Sequence, residues 1–66
     1  MKIIVDDLPR EVPGGATVYD ILRLLGEAVK HAVVEVNSVY IHPREYAERT
    51  LNAGDRMEVI YPAFGG

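Results

Sequence analysis

The sequence predicts an α+β domain in which one main helix packs across a mixed sheet of about four or five strands. Two observations carry that prediction. Runs rich in β-branched residues, with apolar side chains alternating, occupy residues 2–6, 31–37 and 56–61, each bounded by turn chemistry. Between the first and second of these, Val18, Ile21, Leu22 and Leu25 recur at i, i+3, i+4 and i+7, a single amphipathic stripe. A chain of 66 residues makes one domain and buries only about 60% of the surface its unfolded form exposes, so one small core has to serve.

In the first strand Ile3 and Val5 share a face and Ile4 points the other way, with the acidic pair Asp6-Asp7 ending the run. Pro9 and Pro13 flank Arg10-Glu11-Val12, which predicts a short second strand at a sheet edge, where a missing N–H does no harm. Pro13-Gly14-Gly15 breaks the pattern, and Thr17 follows as a candidate N-cap whose hydroxyl accepts a backbone N–H of the first helical turn. Asp20 places a carboxylate in that turn, where it complements the helix dipole, and Gly26 is the expected stop.

From His31 the chain alternates again, with Ala32, Val34 and Val36 on one face and Val33 and Glu35 on the other. Asn37-Ser38 reads as a turn, Tyr40-Ile41 as a brief pairing, and Pro43 as the start of a short polar helical or irregular stretch through residue 50. Leu51 is expected to plug the core from this connection. Asn52-Ala53-Gly54-Asp55 is a further turn cluster before the last strand, in which Met57, Val59 and Tyr61 are expected to share a face until Pro62 ends it. The expected core is Ile3, Val5, Val18, Ile21, Leu22, Leu25, Val34, Val36, Leu51, Met57 and Val59. Strand, strand, helix, strand, short connection, strand is the order of a β-grasp (ubiquitin-like) domain, here residues 1–66 with a flexible tail at 62–66.

Composition narrows the chemistry. There are no cysteines, so disulfides, thiolate nucleophiles and thiolate metal sites are all excluded. The net charge is -3 and the seven basic residues are scattered, which argues against nucleic acid as a partner. No apolar run approaches the roughly 20 residues that span a bilayer, and no signal-peptide pattern is visible, so no membrane partner and a cytoplasmic location are expected. His31 and His42 sit in different segments without a matching Asp, Glu or Cys pattern, so no metal site is expected. No Ser-His-Asp or carboxylate-pair constellation is present, and no catalytic residue is assigned.

Leu51-Asn52-Ala53-Gly54-Asp55-Arg56-Met57-Glu58-Val59, followed by an apolar tail ending in Gly65-Gly66, resembles the C-terminal signature of the ThiS/MoaD-type sulfur carriers, and its length favours the ThiS branch. Val34-Glu35-Val36-Asn37 is similar to the third-strand motif of that branch, and the resemblance covers essentially the whole chain. Departures are Asp6-Asp7 and Asn37-Ser38, where such proteins often carry Asn-Gly turns, and Phe64, where many carry a small residue. The resemblance implies a carrier rather than an enzyme. By the same resemblance, a ThiF/MoeB-like adenylating enzyme, using ATP and Mg²⁺, is expected to activate the Gly66 carboxylate, and a sulfur donor such as a cysteine desulfurase to displace AMP and leave a thiocarboxylate. The expected acceptor is an enzyme such as thiazole synthase, with molybdopterin synthesis and amino-acid sulfuration as alternative destinations. No cofactor is expected on the carrier itself. A ubiquitin-like protein modifier or a plain β-grasp binding module is the reading from another class, since fold alone does not choose between them.

The tail chemistry has a physical basis. A terminal carboxylate, with a pKa of about 3.5, is ionised at neutral pH and becomes electrophilic only after activation. Gly65 and Gly66 lack Cβ atoms, so the end of the chain can thread a narrow channel and leave its carbonyl open to attack. Residues 62–66 extend roughly 16 Å at about 3.3 Å each, far enough to reach a buried site while the domain docks outside. The alternative, a frayed terminus, has to reckon with Gly-Gly ending only roughly 0.5% of chains by chance. If the first and last strands are parallel neighbours, Ile4 and Ile60 point together away from the helix. With Phe64 they are the expected partner-binding residues.

Overall fold

The computed structural model describes residues 1–26 and 31–61. Over these residues the chain forms β1 (Lys2–Val5), β2 (Leu8–Glu11), α1 (Val18–Leu25), β3 (Val33–Val36), β4 (Val39–Ile41), a short 3-10 helix (Pro43–Glu45) and β5 (Arg56–Ile60). The strands make one five-stranded sheet in the order β2-β1-β5-β3-β4. β1 and β5 are parallel, and the other neighbouring pairs are antiparallel. The expected tail, residues 62–66, lies outside the described residues.

Both hairpins close through two-residue loops, Asp6-Asp7 between the paired Val5 and Leu8, and Asn37-Ser38 between the paired Val36 and Val39. All four loop residues have positive φ, at 49° and 68° in the first turn and 52° and 68° in the second. Positive φ at both centres is the type I′ pattern, whose twist matches that of the strands it joins. Asp and Asn tolerate the left-handed region because their short polar side chains bond locally, whereas Ser38 has no such allowance.

The second strand differs from the expected residues 10–12. Pro9 falls inside β2, opposite Ile4, and Val12 follows the strand as a buried residue. In a two-residue hairpin closed by Val5 and Leu8, the next pair is not hydrogen-bonded across the strands, so Pro9 lacks an N–H only where none is needed. Val12 is drawn inward because its N–H donates to the Met1 carbonyl at 2.8 Å, and the Met1 ammonium donates to the Val12 carbonyl at 2.6 Å.

Helix α1 starts at a closed capping box. The Asp20 N–H donates to Thr17 Oγ1 at 3.2 Å, and the Thr17 N–H donates back to Asp20 Oδ2 at 3.0 Å. Asp20 thus does what Glu does in the usual box. The same end of the helix is stitched to the chain after the 3-10 helix. The Val18 N–H donates to Arg49 O at 3.0 Å and the Leu51 N–H to Ala16 O at 2.9 Å, which carries Leu51 under the helix, where it is 1% exposed. Gly26 closes α1 at φ 97°.

The core lies between α1 and one face of the sheet. Every residue expected there is buried except Leu25, which is half-buried and packs on its margin, and Val12, Ala16 and Ile41 join it. Ile41 enters because it pairs with Val34, which puts both on the helix-facing side. Tyr61 does not share the face of Met57 and Val59: β5 ends at Ile60, before the alternation reaches Tyr61, which is exposed.

Ser38→Gly is expected to stabilise the fold. Relieving left-handed strain of about 1–2 kcal/mol outweighs the extra freedom that glycine gives the unfolded chain, about 0.5–1 kcal/mol, for a net gain on the order of 0.5–1 kcal/mol. Ser38→Ala gains nothing. Urea unfolding of the two variants beside the parent chain measures the difference.

Candidate functional site

The site builds up around the end of β5, the strand that leads into residues 62–66. β5 lies between β1 and β3, so its backbone is bonded on both sides. On the β1 side, the Ile4 N–H donates to Asp55 O at 2.9 Å and the Asp6 N–H to Met57 O at 3.0 Å. β1 stops at Val5, yet the ladder continues one step further through a side chain, because the Val59 N–H donates to Asp6 Oδ1 at 2.9 Å in a partly buried position. On the β3 side, pairing runs as far as Val33 opposite Ile60.

The start of β5 is held by a second polar latch. Asn37 Nδ2 donates to Asp55 Oδ1 at 3.0 Å, the Arg56 N–H donates to Asn37 Oδ1 at 3.0 Å, and the Asn52 N–H donates to Asp55 Oδ2 at 2.8 Å. The turn at 52–55, with Gly54 at φ 86°, is therefore fastened to the β3–β4 hairpin.

Of the expected site residues, Ile4 and Ile60 are described; Phe64, Gly65 and Gly66 lie outside the described residues. β1 and β5 are parallel neighbours, and Ile4 and Ile60 both occupy the sheet face opposite α1, since their neighbours Ile3, Val5 and Val59 face the core. They are not side by side. Ile4 is level with Arg56, so Ile60 lies four residues further along β5, roughly 13 Å away, with Glu58 between them. Ile60 is 43% exposed and has half-buried Val33 as its cross-strand neighbour.

His42 has a structural task here: its Nδ1 accepts from the Arg44 N–H at 3.4 Å and caps the 3-10 helix, while Tyr40 meets its ring edge-on at 6.1 Å. Burial, with Tyr40 adding to it, raises the Tyr46 phenol above its ordinary pKa, so it stays neutral at physiological pH. Among the described residues no group of three or more His, Cys, Asp or Glu is placed to hold a metal ion. A shallow groove of about 480 Å³ lies between the 13–16 loop and α1, lined by Pro13, Ala16, Ile21 and Leu24 among others, and brings no nucleophile and base together.

Sequence reasoning did not find the roles of Asp6, Asn37 and Asp55. In the sequence Asp6 marks the end of a strand and Asn37 and Asp55 mark turns; the signal for more exists only once the register is known, because Asp6 lies 53 positions from Val59, and Asn37 lies 18 from Asp55 and 19 from Arg56.

The family model described as the ThiS family matches residues 3–66. No curated protein matches the chain. Among solved structures, the crystal structure of a thiamine biosynthesis protein (ThiS) from Geobacter metallireducens is similar at 26% identity and a TM-score of 0.83, with all of both chains covered. A solution structure of a thiamine biosynthesis protein from the same organism is similar at 26% identity and a TM-score of 0.77, covering 100% of this chain and 88% of that one. The architecture is accordingly the β-grasp fold of those neighbours.

Asp6→Ala is expected to cost about 2 kcal/mol, because it leaves the partly buried Val59 N–H without an acceptor and puts a residue with no local bond at positive φ. Asp6→Asn keeps an Oδ1 acceptor and a tolerance for the left-handed region, and should lie within about 0.5 kcal/mol of the parent. Urea unfolding, together with hydrogen exchange of the Val59 amide, separates the two.

Proposed function

The chain belongs to the ThiS family, and on that premise we propose that it is a sulfur carrier of thiamine biosynthesis, a co-substrate rather than an enzyme, working through the carboxylate of Gly66. The observation that carries the proposal is that the family match runs through the whole β-grasp domain and on to residue 66. The geometry supports it from the other direction: the strand leading to residues 62–66 is the central one of the five, with two strands on either side of it, which suits a domain whose end must be presented to other proteins.

In the proposed cycle an ATP- and Mg²⁺-dependent adenylating enzyme of ThiF/MoeB type receives the tail. A Gly66 carboxylate oxygen attacks the α-phosphorus of ATP and pyrophosphate leaves, giving an acyl-adenylate. The terminal sulfur of a persulfide donor, such as one loaded by a cysteine desulfurase, then displaces AMP at the carbonyl carbon to give an acyl disulfide, and a second thiol attacks the donor-side sulfur, forming a disulfide with the donor and releasing the thiocarboxylate. The resulting thiocarboxylate delivers sulfur to an acceptor such as thiazole synthase. Gly65 gives the tail passage, and Phe64, Ile60 and Ile4 are the proposed docking residues. No helix among the described residues is long and apolar enough to cross a membrane, and the proposed setting is the cytoplasm, where the adenylating enzyme has its ATP.

Two measurements test this. Intact-mass spectrometry after incubation with ATP, the adenylating enzyme of the same genome and a sulfur source should show a gain of about 16 Da, sulfur for oxygen, that a chain lacking Gly66 never acquires. Conjugates to lysine in place of that gain would make the chain a modifier, and neither product would make it a plain binding module.

Ile60→Asp, at an exposed position outside the core, should leave unfolding within about 0.5 kcal/mol of the parent while weakening adenylation. Unchanged adenylation kinetics would remove Ile60 from the docking surface.

A further inference from the structure

The sheet face opposite α1 carries an arrangement that the fold does not need. Glu35 of β3 and Glu58 of β5 are direct cross-strand partners, and both belong to the face turned away from the core, since Val34, Val36, Met57 and Val59 on either side of them are buried. Like charges placed directly opposite one another destabilise a sheet. Neither carboxylate pairs with a cation among the described residues. The nearest cation on this face along β5 is Arg56, and its guanidinium is held by Asp7 at 2.8 Å.

The surroundings of the pair are aromatic and apolar. Tyr40 of β4 lies opposite Glu35 and is 53% exposed, and one step along β5 and β3 lie Ile60 and its partner Val33. Carboxylates, an aromatic ring and apolar flanks on one face match one side chain above others. Arginine's planar fork spans two carboxylate groups, and its plane stacks on a tyrosine ring, which a lysine ammonium does less well. A second copy of this chain is excluded as the occupant by charge: net charge -3 would meet net charge -3, and two glutamates would face two more.

We propose that the open sheet face docks a protein partner that presents an arginine between Glu35 and Glu58, against Tyr40, with apolar side chains covering Ile60 and Val33. The partner's identity as the adenylating enzyme rests on the carrier reading; the chemistry of the surface does not. The repulsion between the two glutamates is relieved only in the complex, so the site favours the bound state beyond what the contacts alone supply.

Glu58→Lys tests this because the two consequences have opposite signs. In the free chain it turns a repulsive cross-strand pair into an attractive one, and the thermal midpoint should rise by roughly 2–4 °C. In the complex it meets the partner's arginine with a like charge. With the adenylating enzyme of the same genome, ATP–pyrophosphate exchange should show KM for the carrier raised about tenfold or more, the effect falling on KM rather than kcat. Added NaCl should narrow the gap between variant and parent. Glu35→Gln and Glu58→Gln, which keep shape and lose charge, should move both quantities the same way by less, and they serve if the lysine variant fails to fold.

A raised midpoint with KM unchanged overturns the docking proposal and leaves the carrier reading intact. Should the parent chain not be adenylated, direct binding to the same enzyme decides: binding weakened by Glu58→Lys supports the surface while the carrier reading falls, and no glutamate-dependent binding removes both.

Discussion

The placement of β5 between β1 and β3 is the constraint on which the rest of this structure depends. A parallel β1–β5 pair cannot be made by a tight turn, so the chain has to cross over between them. Here that crossover includes α1, the β3–β4 hairpin and the 3-10 connection. Everything between residues 5 and 56 is thus spent on returning the last strand to the middle of the sheet. The crossover earns its place by covering the core: α1 buries Val18, Ile21 and Leu22 on Ile3, Val34, Val36 and Met57, side chains each contributing on the order of 1.5–3 kcal/mol. The order secures β5 on two flanks before residues 62–66 begin.

The polar groups follow from the same constraint. A central strand needs partners for every backbone group on both sides, but β1 stops short of β5's end. The Asp6 carboxylate takes the N–H that a longer β1 would have taken. At the other end, Asn37 and Asp55 tie the turn before β5 to the β3–β4 hairpin. These side chains sit in or beside the turns with positive φ, so their residue types answer two demands at once: tolerance of the left-handed region and a carboxylate or amide within reach of the backbone. That double demand accounts for the first residue of each turn, Asp6 and Asn37. For Asp6 and Asn37 the reason is visible in their bonds; nothing in the structure gives Ser38 a comparable one.

Period-2 and period-3.6 patterns made the order of elements, the N-cap at Thr17, the stop at Gly26 and most of the core legible in the sequence. Hydrophobic alternation reports burial directly, and one small core leaves few ways to arrange it. What stayed hidden required the register. Pro9 looked like a strand boundary because proline usually is one, and only the pairing with Ile4 shows that its missing N–H falls on the outer side. Ile4 and Ile60 share a face, as alternation implied, yet alternation does not say how far along one strand lies against the other. Tyr61 continued the pattern in the sequence but not in the sheet, because pairing with β3 ends at Val33.

The facing glutamates show where function enters such an argument. Each, taken alone, is an ordinary solvated residue on the polar side of a strand, and neither would draw notice in the sequence. Pairing turns them into a local conflict in the middle of a sheet that is otherwise consistent from its turns to its core. Sequences under selection for stability alone have easy remedies at such a place, since lysine or threonine at either position removes the repulsion. Conflict of this kind, retained beside exposed Ile60 on β5 and exposed Tyr40 on β4, is what a surface looks like when its lowest energy is reached in a complex rather than in water.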